Sequence, residues 1–566
     1  MNKKWIVALL TGLCMSCSET KPKTASADFD KLVDDFVYGS LALSPVSATA
    51  TGYHSHNGVS MDETLDDLSP AGIEAGRKFF DEFDKRLTAL DQAALDKEQK
   101  ADIGIIRNAI NFNQLDLDKV QSYKHNPTAY VEMAGNALYT PYVLNYGPKE
   151  QRYRHIIQRL EKLPVLFEQA KGNLVDSPEV WNRVAREEND GNIDLIDHTL
   201  RKEVPEMYKA DFDKAAKTAI AALKDFNTWL EKTLSQKKSD WRLGKENYAK
   251  KFDYTLSTGK TPEQMLALAE ADLKTTRDEM AKLAAPKTVK QALDDVAKQH
   301  ATPATYMAEA KKSLEQATAF VRQKDLLTLP ARANLEVVET PVFMRGIYGV
   351  GGFNAAPALE PQLGAFYWIT PIPATWPKDR VESKLREYNN FGLQELTIHE
   401  AMPGHYVQLE YANDVQPKSR RLLRNVFGSG TYVEGWAVYT QQLMTDEGYL
   451  DNSAALRLTF YKQILRVLAN TILDIRLQTM GMTDQQALDL MINDTYQEKE
   501  EATAKLQRAQ LSSCQLPTYY SGWKGWLEVR DHYKQAKGSA FSLKEFHERA
   551  LKESAVPLPV LDTLLQ

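Results

Sequence analysis

Cysteine is scarce in this sequence: its 566 residues include three, Cys14, Cys17 and Cys514. The first two lie in an N-terminal segment that has the character of an export signal, which leaves Cys514 alone in the body of the chain. An intramolecular disulfide is therefore excluded, and the fold must be stabilised by its hydrophobic core. We expect Cys514 to be a small buried hydrophobic residue rather than a nucleophile.

A strong excess of charge is also missing. Lys and Arg total 70 against 76 Asp and Glu, the net charge is −6, and no long basic block occurs. Nucleic-acid binding, which requires neutralisation of phosphates, therefore has no electrostatic support. Hydrophobic residues make up 43% of the chain, which is ordinary for a soluble globular protein with a large core.

Apolar runs of the ~20 residues that cross a bilayer are absent as well. One shorter run, Trp5–Met15, follows two lysines and is typical of a signal peptide. Two cleavage sites compete, one after Ala25-Ser26-Ala27 and one before Cys17. The first gives a plain secreted protein, and the second resembles a bacterial lipoprotein signal in which Cys17 carries the lipid.

We favour the lipoprotein signal. It predicts an exported protein, anchored only by this lipid to a bacterial membrane and facing the periplasm or cell surface. Residues 1–17 are then the signal peptide and residues 18–28 a tether. We divide the remainder into a helical N-terminal part, residues 29–330, and a catalytic part, residues 331–566.

Helical periodicity dominates from residue 29 onward and predicts a mainly α fold. A clear stripe of apolar residues at helical spacing runs through residues 454–477: Leu456, Phe460, Ile464, Leu465, Leu468, Ile472 and Leu473. Thr261 and Thr483 are each followed three residues later by Gln, which predicts capped helix starts at both positions.

Two segments break the helical pattern. Residues 335–343 and 365–370 are rich in β-branched and aromatic side chains, and a long loop rich in Gly, Ala and Pro separates them. We predict a small antiparallel sheet beside the segment that follows. Phe366, Tyr367 and Trp368 are candidate substrate-binding residues if 365–370 is an edge strand that pairs with an extended peptide, and a core strand is the alternative.

The most informative segment, residues 397–408, reads Thr-Ile-His-Glu-Ala-Met-Pro-Gly-His-Tyr-Val-Gln. Zinc binds neutral imidazoles and carboxylates, and a catalytic zinc keeps one position open. His399 and His405 are six residues apart, which on an ideal helix turns about 600° and leaves the two side chains about 120° out of line. Pro403 and Gly404 favour a distorted helix that brings the histidines together. The alternative is that the two histidines are unrelated.

A third ligand is available in Glu434, which stands in Thr-Tyr-Val-Glu-Gly-Trp at the predicted start of a later helix. Most glutamates on helices are merely exposed, but here Glu434 completes a His/His/Glu site. Glu400, adjacent to the first histidine, is then free to act as the catalytic base, taking a proton from water and delivering it to the leaving amine.

At these residues the sequence resembles the bacterial "domain of unknown function 885" family, whose members carry His-Glu-x-x-Pro-Gly-His and a later Glu-Gly-Trp. The resemblance extends over nearly the whole mature chain and includes Gln515–Gly522, where Thr518 replaces a Ser. It implies a large helical zincin-like fold of the oligopeptidase or carboxypeptidase type. It also implies one zinc ion on His399, His405 and Glu434, with Glu400 as the base.

The resulting hypothesis is a zinc-dependent metallopeptidase that hydrolyses short peptides, with Tyr519 as a candidate donor to the oxyanion; its alternative is a core tyrosine. Two other functions stay open: a non-catalytic lipoprotein that binds peptides or glycans, and a zinc amidase that acts on a non-peptide or cell-wall amide. Substrate length and sequence, exo- or endo-cleavage, the identity of the metal and the oligomeric state are not determined by the sequence.

Overall fold

The structure, a computed structural model, describes residues 21–345 and 348–566. The predicted signal peptide and Cys17 lie outside these residues. Of the predicted tether, residues 21–28 form the start of the first helix. None of the helices in the described ranges is long and apolar enough to cross a membrane.

The described chain is mainly α-helical, which confirms the predicted fold class. The elements before the larger sheet are α1 (Lys21–Leu43), α2 (Pro45–Thr51), β1 (Ser55–His56), β2 (Val59–Ser60), α3 (Pro70–Ala89), α4 (Lys97–Leu115), α5 (Ser122–His125), α6 (Pro127–Val143), α7 (Lys149–Asn173), α8 (Glu179–Asp194), α9 (Lys209–Lys232), α10 (Gly244–Leu256), α11 (Pro262–Ala284), α12 (Val289–Ala297) and α13 (Tyr306–Lys324).

The remaining elements include the sheet and the helices of the C-terminal part. They are β3 (Leu335–Glu339), β4 (Gly351–Asn354), β5 (Ala365–Ile369), α14 (Lys378–Glu387), α15 (Asn390–Glu400), α16 (His405–Ala412), α17 (Lys418–Val426), α18 (Gly430–Asp446), α19 (Ala454–Thr479), α20 (Asp484–Asp489), α21 (Lys499–Leu511), α22 (Pro517–Lys537), α23 (Leu543–Lys552) and α24 (Leu558–Leu565).

The local sequence signals are confirmed. Thr261 and Thr483 both form capping boxes with the Gln three residues on, at the starts of α11 and α20. Every residue of the predicted apolar stripe in α19 is buried. Cys514 is free and fully buried, as expected. The largest hydrophobic cluster extends from Phe29 in α1 to Leu565 in α24, so both parts of the chain contribute to one core.

The small sheet is confirmed, but its arrangement differs from the prediction. Its strand order is β3-β5-β4. The two strands predicted as an antiparallel pair, β3 and β5, run parallel, and β4 is the antiparallel neighbour of β5. A parallel pair needs a long crossover. The connection predicted as a long loop supplies this length and also contributes β4.

Two glycines allow α18 and α22 to pack backbone against backbone. A Cβ atom on Gly435 would lie 2.3 Å from the carbonyl carbon of Gly522, so no larger residue fits at the crossing. This close contact brings the first turns of α22 beside the first turns of α18, where Glu434 is located. The helix crossing thus determines which side chains of α22 can face Glu434.

Candidate metal centre

The chain between the two histidines is not a continuous helix. Helix α15 ends at Glu400 and α16 begins at His405, so the predicted distortion at Pro403-Gly404 is present as a full interruption. A Cβ atom on Gly404 would lie 1.9 Å from the carbonyl oxygen of His399, which explains why glycine is required here. The indole N–H of Trp436 donates to the carbonyl oxygens of Pro403 and Gly404, at 2.9 and 3.2 Å, and so stabilises the interruption.

The interruption brings the two imidazole rings together, with their centroids 4.7 Å apart and their planes nearly perpendicular. Glu434, in the first turns of α18, faces both rings. Its Oε2 lies 3.5 Å from Nε2 of His399 and 3.4 Å from Nε2 of His405. Among the described residues, these three form the one cluster of at least three His, Cys, Asp or Glu side chains that could hold a metal ion.

The two distances from Oε2 of Glu434 to the imidazole nitrogens fit a tetrahedral zinc ion. Bonds of about 2.1 Å at tetrahedral angles place donor atoms about 3.4 Å apart. The buried Oε2 of Glu434 also has no hydrogen-bond partner within the described ranges, although buried oxygens are nearly always satisfied. Burial alone would raise the pKa of Glu434, but the two neighbouring histidines lower that pKa far below its ordinary value. A cation between these groups would satisfy the carboxylate.

His399 is oriented from behind by α18. Its Nδ1 lies 3.4 Å from Oε1 of Gln441, whose Nε2 donates to the backbone carbonyl of Glu395 at 3.2 Å. An Nδ1–H that donates to Gln441 leaves the lone pair of Nε2 directed at Glu434, which is the tautomer that a metal requires. Gln441 follows Glu434 by two helical turns, so one helix contributes a candidate ligand and also orients another.

Glu400 is the last residue of α15 and stands next to His399. Burial raises the pKa of its carboxyl group to about 7; nearby Glu434 adds to this increase, whereas His399 and Arg508 oppose it. A carboxyl group that titrates near neutral pH can both accept and return a proton. This property suits the role of base that the sequence predicts for Glu400.

The opposite side of the centre is formed by α21, α22 and the residues between them. Gln515 donates from Nε2 to Oε1 of Glu434 at 3.3 Å and to the hydroxyl of Tyr519 at 3.4 Å. Arg508 donates to the same hydroxyl at 3.1 Å and to Oε1 of Gln515 at 3.0 Å. The ring of Tyr519 lies 6.1 Å from that of His399, centroid to centroid. Tyr519 therefore lies beside the candidate metal-binding cluster.

Phe366, Tyr367 and Trp368 are not on an edge strand. β5 has a neighbour on each side, so the expected pairing of 365–370 with an extended peptide is wrong. All three side chains are buried, and the hydroxyl of Tyr367 bonds to Thr397 of α15 at 3.2 Å. The predicted substrate contacts therefore lose their basis, and the strand supports the helix that carries His399.

Sequence reasoning missed Gln441 and Arg508, and it did not assign a role to Gln515 within the segment that it singled out. It also missed a cavity of about 250 Å³ that reaches Glu434 and Gln515. Buried side chains of Gln408 and Ser554 line this cavity without hydrogen-bond partners among the described residues. Such atoms call for water or a bound group.

These features define an α-helical protein with a His/His/Glu cluster that could hold a metal ion. The chain belongs to the family described as "Bacterial protein of unknown function (DUF885)", whose model matches residues 45–565. The predicted family membership is thereby confirmed. A search of curated proteins finds no match.

Solved structures similar to the chain include two bacterial proteins. A "putative lipoprotein of unknown function" from Shewanella oneidensis is 30% identical with a TM-score of 0.78, over 95% of this chain and 99% of that one. A "putative lipoprotein" from Colwellia psychrerythraea is 17% identical with a TM-score of 0.77, over 95% and 98%. Trypanosoma cruzi metallocarboxypeptidase 1 also matches, over 96% of this chain and 92% of that one, with only 11% identity and a TM-score of 0.36.

Proposed function

We propose that this protein is a zinc-dependent hydrolase of peptide bonds. One observation carries the proposal: two imidazole nitrogens lie 3.4–3.5 Å from one carboxylate oxygen, with a second carboxyl group, that of Glu400, beside them. Three ligands with a position left open are typical of catalytic zinc sites, whereas structural sites use four protein ligands. A base next to the ligands has no purpose in a site that only stabilises the fold.

In this proposal His399, His405 and Glu434 hold the ion. Zinc, when bound, supplies Lewis-acid polarisation of water and of the scissile carbonyl. Glu400 accepts the proton of the attacking water and delivers it to the departing amine, which its pKa of about 7 permits at neutral pH.

In this proposal Tyr519 stabilises the oxyanion. Its hydroxyl oxygen accepts hydrogen bonds from Arg508 and Gln515, so its own proton remains free to donate toward the substrate. Burial raises the pKa of this hydroxyl to about 12, which keeps it protonated at neutral pH. A fixed donor aimed at developing negative charge is worth about 10²- to 10³-fold in rate.

Short peptides are the proposed substrates because the ligands are recessed. The side chains of His399, His405 and Glu434 are 14%, 10% and 19% exposed. A folded protein cannot present a rigid surface loop to such a site, whereas a short flexible peptide can enter it.

Lipid anchoring at Cys17 is proposed as well, supported by the lipoprotein signal and by the names of the two bacterial relatives. In cells that express the chain, we expect labelled palmitate to be incorporated into the protein. A Cys17→Ser variant should lose the label and leave the membrane fraction. Equal labelling of both chains would contradict the anchor.

The decisive experiment replaces Glu400 with Gln and tests dipeptide and oligopeptide libraries with zinc-replete protein. We expect the variant to keep one zinc per chain, measured by elemental mass spectrometry, and to lose about 10²- to 10⁴-fold in kcat. Glu528→Gln, at an exposed position on α22, is the matched control and should retain full activity.

Full turnover by the Glu400→Gln variant would overturn the mechanism. A purified wild-type chain that binds no zinc, and whose stability is insensitive to chelator, would instead favour a non-catalytic binding protein. Zinc binding with hydrolysis of other amides but of no peptide would favour the zinc amidase.

A further inference from the structure

One face of α21 presents three charged side chains to the interior at helical spacing: Glu501, Lys505 and Arg508. Residues separated by three or four positions are neighbours on a helix surface. Glu501 is satisfied, since it accepts a hydrogen bond from Tyr388 at 3.0 Å and lies 3.8 Å from Arg466. Lys505 and Arg508, the two cations that follow Glu501, have no comparable ion-pair partner among the described residues.

Lys505 is 9% exposed, yet its ammonium group makes no hydrogen bond and no salt bridge with any residue that the structure describes. Lysines are rarely buried without a partner, because desolvation of the charge is costly. Burial and the positive charge of Arg508 together lower the pKa of Lys505 to about 7. A negative charge between the two side chains would favour the charged lysine.

Arg508 has unused donors beside this lysine. One terminal nitrogen of its guanidinium group donates to Gln515 and Tyr519, at 3.0 and 3.1 Å. Its Nε and its other terminal nitrogen make no hydrogen bond within the described part of the chain. Arg508 also forms no salt bridge there, although arginine presents a planar array of donors that matches a carboxylate.

Both cations lie close enough to Glu434 of the candidate metal centre for its carboxylate to raise the pKa of each. Gln515 and Tyr519, the partners of Arg508, contact Glu434 and stack near His399, respectively. Lys505 precedes Arg508 by three residues on the same helical face. An anion held by both side chains would therefore lie close to the position where a scissile bond meets Glu400 and Tyr519.

We propose that Lys505 and Arg508 form a subsite for a carboxylate of the substrate, close to the scissile bond. This inference rests on the proposed function. The carboxylate has two possible sources, the free C-terminus of a peptide or an Asp or Glu side chain. The first source makes the protein a carboxypeptidase that removes one or two terminal residues, and the second makes it selective for acidic residues.

Four zinc-supplied assays distinguish these sources. The substrates are acetyl-Ala-Ala-Phe and its C-terminal amide, and acetyl-Ala-Ala-Glu-amide and its Gln-amide counterpart. We expect kcat/KM to be about 10- to 100-fold higher for the acid of one pair than for its neutral partner, as one lost charged hydrogen bond predicts. Preference within the first pair identifies the C-terminus, and preference within the second identifies the side chain.

Variants of Lys505 test the residue assignment. Lys505→Met keeps the aliphatic length and should reduce the acid-to-neutral ratio of kcat/KM by about 10-fold or more, whereas Lys505→Arg should restore most of it. Lys282→Met, at an exposed lysine paired with Glu279, is the control and should leave the ratio unchanged.

A binding measurement separates this inference from the proposed catalysis. If the C-terminus is recognised, calorimetry with the Glu400→Gln protein should show that Ala-Phe binds at least about 10-fold more tightly than Ala-Phe-amide. If an acidic side chain is recognised, Ala-Glu-amide should bind more tightly than Ala-Gln-amide by the same factor. Equal cleavage and equal binding of acid and neutral partners in both pairs would overturn the subsite while leaving hydrolysis intact. No cleavage of any peptide, with acid-dependent binding that Lys505→Met abolishes, would overturn the proposed function and retain the subsite.

Discussion

Replacement of Glu395 by Gln should stabilise the protein, and increasingly so as the pH rises. Glu395 is fully buried in α15, one turn before His399, and both of its carboxyl oxygens lack hydrogen-bond partners among the described residues. Burial raises its pKa from an ordinary 4.5 to about 8. The native protein therefore holds this proton at neutral pH, whereas the unfolded chain releases it.

The direction of this pH dependence follows from the linkage between proton binding and folding. A raised native pKa contributes stability that is fully present below pH 4.5 and is lost as the pH rises through about 8. A pH of 7 lies 2.5 pH units above the ordinary pKa of 4.5. At about 1.4 kcal/mol per unit, the free energy of unfolding has by then lost about 3 kcal/mol of this contribution. Glutamine resembles the protonated acid in shape but does not titrate, so the variant avoids this loss.

The assay is thermal unfolding from pH 4.5 to 9. An unfolding entropy of ~2.1 cal/mol/K per residue gives about 1.2 kcal/mol/K for 566 residues, so 3 kcal/mol corresponds to roughly 3 °C. We expect equal Tm values for the two proteins near pH 4.5 and a Glu395→Gln variant about 3 °C more stable at pH 7. Glu528→Gln, an exposed control, should show no such trend. A Tm difference that does not change with pH, or a variant less stable than the native protein, would refute the conclusion that Glu395 is buried as a neutral acid.

Three further predictions concern the candidate metal centre. Gly404→Ala should abolish stoichiometric zinc binding, since its Cβ would lie 1.9 Å from the carbonyl oxygen of His399; Gly172→Ala, where a Cβ meets nothing within 4 Å, is the control, and normal zinc content in the first variant would contradict the reasoning. Gln441→Leu should weaken zinc binding about 10- to 100-fold in a competition titration, because His399 loses the group that orients it; unchanged affinity would exclude that role. Zinc at about 100 times its Kd should raise Tm by roughly 2 °C, from ~2.7 kcal/mol of linkage, and a His405→Ala variant should show no increase.

The predicted break at Pro403-Gly404 was correct because it follows from local stereochemistry. Six residues cannot align two side chains on a regular helix, and the residues between the histidines are those that disrupt one. Glu434 could be selected from the sequence as an unusual glutamate at a helix start. Its distance to the two imidazoles depends on how α18 packs on α15 and α16, which no local pattern encodes.

The position of β5 within the sheet could not be predicted for a related reason. Its neighbour β4 reads Gly351-Gly352-Phe353-Asn354, which has the composition of a loop and little β propensity. Whether a strand is central or at an edge depends on its partners, and one of those partners had no recognisable signal. Gln441 and Arg508 were missed because a polar residue on a helix usually faces solvent, and only tertiary contacts distinguish these two.

The occurrence of Glu, Gly and Trp as consecutive residues in α18 has a structural explanation. Successive residues of a helix point about 100° apart, so three neighbours face three different partners. Glu434 faces the histidines, Gly435 contacts Gly522 of α22, and Trp436 stabilises the break between α15 and α16. One turn of helix therefore provides a candidate ligand, admits the helix that carries Tyr519, and fixes the interruption that aligns the other two candidate ligands. A shift of this turn by one residue would disrupt all three contacts together, which links the candidate metal centre to the packing of α18 rather than to any single side chain.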